Sequence, residues 1–74
     1  MNNEYSQKYK KLGLNIAYYR KLNNYTQLQL SEILDIDRSH ISAIELGNNS
    51  PSIDLVFKIC EKLNITEKEL FDFR

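Results

Sequence analysis

Residues 26–47 read TQLQLSEILDIDRSHISAIELG, and this stretch limits the possible folds more than any other part of the chain. Leu30 and Leu34 are spaced by four and Ile41 and Ile44 by three, with Ile36 between the two pairs. That spacing predicts two short helices. All five apolar side chains reach one core only if a tight, non-helical break separates the helices. Asp35, Ile36 and Asp37 form that break, since aspartate tolerates a left-handed backbone and Asp37 is placed to cap the helix that follows. Thr26 reads as the first N-cap, and Gln29 three residues on completes a T-x-x-Q capping box. Gly47 is a natural stop for the second helix, which spans about residues 38–45.

The remainder is helical by the same criterion. A first helix over about residues 8–22 carries Leu12, Ile16 and Tyr19 on one stripe, with residues 1–7 as a loose leader. Asn23, Asn24 and Tyr25 break it. After the loop Asn48, Asn49, Ser50 and Pro51, Ser52 caps a fourth helix to Leu63, whose expected inward positions are Ile53, Val56, Phe57, Cys60 and Leu63. Thr66 and Glu69 form a second capping box, opening a short fifth helix with Leu70, Phe71 and Phe73. The expected architecture is a compact all-α domain of five helices, single over residues 1–74.

At 74 residues the chain builds one modest core and no deep catalytic cleft. A core this small supplies roughly 3–5 kcal/mol, so a homodimer is a natural expectation. No apolar run approaches the roughly 20 residues that span a bilayer, and the N-terminus has no signal-like apolar stretch, which predicts a cytoplasmic protein without membrane contact. The single cysteine, Cys60, precludes an internal disulfide. Net charge is zero but unevenly placed: residues 1–25 hold five basic side chains against one acidic, and residues 26–74 hold five against nine. Indiscriminate coating of nucleic acid is thereby disfavoured, while one basic end is retained.

Two short helices around a tight turn are the spacing of a helix-turn-helix, in which the first helix braces the second against DNA. The chain resembles the Cro/repressor-type (lambda repressor-like) helix-turn-helix domains of phage and bacterial regulators over about residues 12–71. The markers are Ile16 with Arg20, Thr26 and Gln27 with Leu30, the run Ile41-Ser42-Ala43-Ile44-Glu45 closing at Gly47, and Pro51-Ser52. Ser31 stands where that family prefers alanine, Asp35 where it prefers glycine, and Asn48 and Asn49 where residues are often basic. The resemblance implies sequence-specific binding of double-stranded DNA by a transcriptional regulator, most often a repressor. It also implies a phosphate contact from Gln27 and a bridge between Arg20 and Glu45.

The outward face of the third helix follows from its inward one. With Ile41 and Ile44 in the core, Arg38, Ser39, Ser42, Ala43 and Leu46 face away. Small side chains at 39, 42 and 43 let a helix approach base edges. Arg38 is suited to guanine O6 and N7, and Ala43 to a thymine methyl. Arg38, Ser39, Ser42 and Ala43 are therefore the expected base contacts. Gln27, His40, Asn48 and Asn49 are the expected phosphate contacts. Arg20 and Glu45 each follow a core position by four residues, and two charges bordering a core are expected to pair.

Other chemistry finds little support. His40 is the only histidine, so no histidine-based metal cluster or catalytic relay is available, and Ser39 and Ser42 lack an oxyanion motif. An enzyme is not expected and no cofactor is implied. Cys60 reads as packing rather than reactivity. Tyr18, Tyr19 and Tyr25 read as core and rim packing. Of Phe71 and Phe73, one ring is expected on the core and the other free for a symmetric contact. A homodimer would set two recognition helices about 34 Å apart on a palindromic operator. The alternative is a protein-interaction module, antitoxin-like or an anti-repressor partner, with weak or no DNA binding.

Overall fold

The computed structural model describes residues 4–73 and contains five α-helices in the order α1 (Ser6–Leu22), α2 (Gln27–Leu34), α3 (Arg38–Glu45), α4 (Ile53–Leu63) and α5 (Glu67–Leu70). No strand occurs among the described residues. Helix α1 begins at Ser6, inside the stretch expected to be a loose leader; residues 1–3 of that stretch lie outside the described residues.

Each of the first four helices ends the same way, although only two glycines are present. Asn24, Asp35, Gly47 and Asn64 take positive φ values of 62°, 58°, 77° and 58°. In each case the next amide reaches back to the last turn: Tyr25 to the Arg20 carbonyl, Ile36 to Ser31, Asn48 to Ala43 and Ile65 to Cys60, at 2.9–3.1 Å. These are Schellman closures, and asparagine and aspartate serve where glycine is the usual choice because their short side chains tolerate the left-handed region. Tyr25, Ile36 and Ile65 then fold onto the core, so each turn also aims the chain into its next helix.

The starts are equally specified. Thr26 Oγ1 accepts from the Gln29 amide at 3.0 Å while Gln29 Oε1 accepts from the Thr26 amide at 2.8 Å. Thr66 and Glu69 repeat the arrangement at 3.0 and 3.1 Å, and Ser52 Oγ accepts from the Leu55 amide at 3.1 Å. Asp37 departs from expectation: it occupies the N-cap of α3 but its carboxylate makes no capping bond. The His40 amide that it would serve is already taken at 3.0 Å by the carbonyl of Asp37 itself.

Leu12, Ile16, Leu30, Leu34, Ile41, Ile44, Val56, Ile59, Cys60, Leu63 and Leu70 form one buried cluster to which all five helices contribute. The α4 stripe differs from the expected one. Ile59 is fully buried, whereas Ile53 and Phe57 are 64% and 54% exposed. Apolar residues at 53, 55, 56, 57, 59, 60 and 63 cover more than half the circumference of α4, and its neighbours α1, α2 and α5 bury only the sector centred on Val56, Ile59 and Leu63. Beyond α5, Phe73 packs on the core while Phe71 stays exposed; the helix itself ends at Leu70.

Three side chains tie the frame together. Asn15 Nδ2 donates to the Leu70 carbonyl at 2.7 Å, Asn23 Nδ2 to the Leu63 carbonyl at 3.1 Å, and Lys58 Nζ to the Leu34 carbonyl at 2.9 Å. Each satisfies an otherwise unpaired carbonyl at or just before a helix end. No helix among the described residues is long and apolar enough to cross a membrane.

Candidate nucleic-acid interface

Helix α3 is held from behind by α1 and α2. Ile41 and Ile44 are buried, and the backbone of α1 approaches so closely at Gly13 that a methyl group there would lie 2.5 Å from the Glu45 carbonyl oxygen. With that side fixed, the strip along the opposite side is, among the described residues, open at Arg38, Ser39 and Leu46 and partly sheltered at Ser42 and Ala43. The exposed Asn48 and Asn49 continue from its C-terminal end, while His40, about 160° around the helix from Arg38, is half-buried.

Arg20 and Glu45 meet in the interior at 8% and 9% exposure. Arg20 Nε donates to Glu45 Oε2 at 2.7 Å and Nη2 to Oε1 at 3.0 Å, a two-point pairing that matches the planar fork of arginine to a carboxylate. Arg20 Nη1 also donates to the Tyr25 carbonyl at 2.9 Å. One guanidinium thus fastens the end of α1, the turn before α2 and the last residue of α3.

The pair extends toward the surface. Gln27 Nε2 donates to Glu45 Oε1 at 2.9 Å, and Gln27 Oε1 accepts from Arg38 Nη1 at 3.4 Å. The order Arg20, Glu45, Gln27, Arg38 runs from the buried frame to the head of the exposed strip. The Arg20–Glu45 pair is the one expected from the sequence, but the links through Gln27 have no local signature, because 18 residues separate Gln27 from Glu45. The amide of Gln27 is committed in one direction: with its nitrogen on Glu45, its oxygen must face Arg38.

Cys60 sits in the core, where burial first, and then Glu67 and Glu69, push its thiol up to about 11. It stays protonated at neutral pH and packs as a small apolar group. Tyr19 and Tyr25 pack on the core, and Tyr18 meets Tyr19 edge-on at 5.0 Å between ring centres. Among the described residues no group of three or more histidine, cysteine, aspartate or glutamate side chains could hold a metal ion.

The helix-turn-helix family model matches residues 16–70, which includes α2, α3 and every buried core residue except Leu12. The chain belongs to the Cro/repressor-type helix-turn-helix family. It is 39% identical over 56 residues to an uncharacterized HTH-type transcriptional regulator of Methanocaldococcus jannaschii, a match covering 76% of this chain and 85% of that one. It is 38% identical over 55 residues to the antitoxin PezA of Streptococcus pneumoniae, covering 74% of this chain but only 35% of PezA. In fold it is similar to the restriction-modification controller protein C.AhdI from Aeromonas hydrophila. There the TM-score is 0.85 at 24% identity, over 92% of this chain and 99% of that one.

Proposed function

We propose that this helix-turn-helix DNA-binding regulator reads an operator with the outer strip of α3 and acts as a homodimeric transcriptional repressor in the cytoplasm. The observation that carries the reading is the exposed strip of α3, small at 39, 42 and 43 and headed by an arginine whose guanidinium is steered by Gln27. In the major groove Arg38 presents two donors to guanine, and Ser39, Ser42 and Ala43 lie against neighbouring base edges. Gln27, Asn48 and Asn49 contact phosphates and fix the register rather than the sequence, while His40, half-buried and turned away from Arg38, is the least well placed of the four expected phosphate contacts.

Two subunits join through apolar surface that one subunit leaves open. Ile53 and Phe57 are one turn apart on α4, and Phe71 is the exposed ring past α5. The similarity to the antitoxin PezA gives a second reading, in which the same domain serves mainly a protein partner.

Selection of bound duplexes from random DNA separates the two. A symmetric DNA reader recovers a palindrome whose half-sites lie about one helical turn apart, and it sediments with the mass of two subunits. Failure to enrich any motif, with a monomer mass at every concentration, favours the protein-partner reading.

A further inference from the structure

Phosphate neutralisation is the open question for a DNA reader with so few cations near its recognition helix. Arg20 is spent on Glu45, Lys58 on the Leu34 carbonyl, and Lys62 faces Glu61 at 3.6 Å. Lys8 lies 5.8 Å over the Tyr5 ring. The loop that leaves α3 offers only Asn48, Asn49 and Ser50. Arg38 is the sole lysine or arginine on α2 or α3, and Glu32, Asp35 and Asp37 lie within six residues of it along the chain. The C-terminal end of α3 adds the negative pole of its helix, which repels a phosphate.

One lysine outside the helix-turn-helix answers this deficit by position. Where α1 passes the end of α3, a methyl group on Gly47 would lie 2.7 Å from Lys10 Cγ and 2.8 Å from its Cα. The stem of Lys10 therefore runs across Gly47, and its side chain is exposed. A lysine so placed rests its methylenes on the backbone and carries its ammonium into solvent. Gly47, over which that stem passes, is followed directly by Asn48 and Asn49 and lies just past the negative end of α3.

We infer that Lys10 is a DNA-phosphate contact: it neutralises the strand flanking the C-terminal end of α3, outside the helix-turn-helix proper. The inference rests on the DNA-binding reading above. A helix about 10–12 Å across fills a major groove about 12 Å wide, so groups beside its ends meet the backbones that border the groove.

The test is the salt dependence of affinity for the duplex recovered by selection, for wild type, Lys10→Gln, Lys10→Arg and Lys62→Gln. Glutamine keeps the stem over Gly47 and removes only the charge. Loss of one phosphate contact lowers the slope of log affinity against log salt by about 0.9. Between 50 and 200 mM salt, the fall in affinity of Lys10→Gln should then be about three- to four-fold smaller than that of wild type. Lys10→Arg should restore the wild-type slope, and Lys62→Gln should leave it unchanged. A steep wild-type slope that Lys10→Gln does not alter overturns this inference alone. A wild-type affinity indifferent to salt overturns the DNA-binding reading and this one with it.

Discussion

Gly13→Ala is expected to destabilise the domain by about 3 kcal/mol, the top of the usual range for overpacking. Alanine at a helix interior ordinarily gains up to about 1 kcal/mol over glycine, so the sign itself is diagnostic. The added methyl would lie 2.5 Å from the Glu45 carbonyl oxygen, 2.8 Å from its carbonyl carbon, and against the Ile44 carbonyl oxygen. All three are backbone atoms of α3 and cannot turn aside as a side chain would. Relief requires α1 and α3 to separate, which strains the Arg20–Glu45 pairing and loosens Ile16 from Ile41 and Ile44. Urea denaturation followed by circular dichroism measures the change. A variant as stable as wild type, or more so, would show that the two helices do not approach as described.

Glu45→Ala is expected to lose about 3–5 kcal/mol, because it leaves the Arg20 guanidinium buried without its carboxylate. For a domain of this size that is most of the total stability. DNA affinity should fall with it, through a separable route. Gln27 Nε2 loses its acceptor, the amide is free to rotate, and Arg38 loses the oxygen that steers it. The double variant Arg20→Met with Glu45→Leu distinguishes the two consequences. Replacing both charges by apolar groups removes the uncompensated ion and should recover much of the stability. Affinity should stay below wild type, since Gln27 is still unanchored. Wild-type stability in Glu45→Ala would contradict the bracing role, and wild-type affinity in the refolded double variant would contradict the steering role.

Much of this frame is legible in the residues. Thr26 with Gln29, Thr66 with Glu69, and Ser52 announce helix starts through bonds that span three residues, and such local bonds survive in a linear pattern. Of the left-handed positions, Asp35 is read from the sequence in the same way, whereas Asn24 stands there only as part of a helix break and Asn64 carries no signal of its own. Alternation alone could not choose among the apolar residues of α4. Ile53 and Phe57 fit the helical period as well as Ile59 does, and only the placement of α1, α2 and α5 decides which sector is covered. Asp37 shows the limit from another side, since a residue of the right type at an N-cap is displaced by its own carbonyl.

The interface divides in the same way. An inward Ile41 and Ile44 determine the outward strip, so Arg38, Ser39, Ser42 and Ala43 follow from helical geometry. The Gln27–Glu45 bond and the passage of Lys10 over Gly47 are long-range facts of packing, 18 and 37 residues apart along the chain. Gly13 carried a faint signal: a glycine in mid-helix is costly unless something must come close.

Selection from random DNA with Arg38→Ala beside wild type shows whether the head of α3 reads bases. If the head of α3 lies in the major groove, one guanine in each half-site loses its preference, by about 1–3 kcal/mol, while the other positions keep theirs. A base preference unchanged at every position would contradict it.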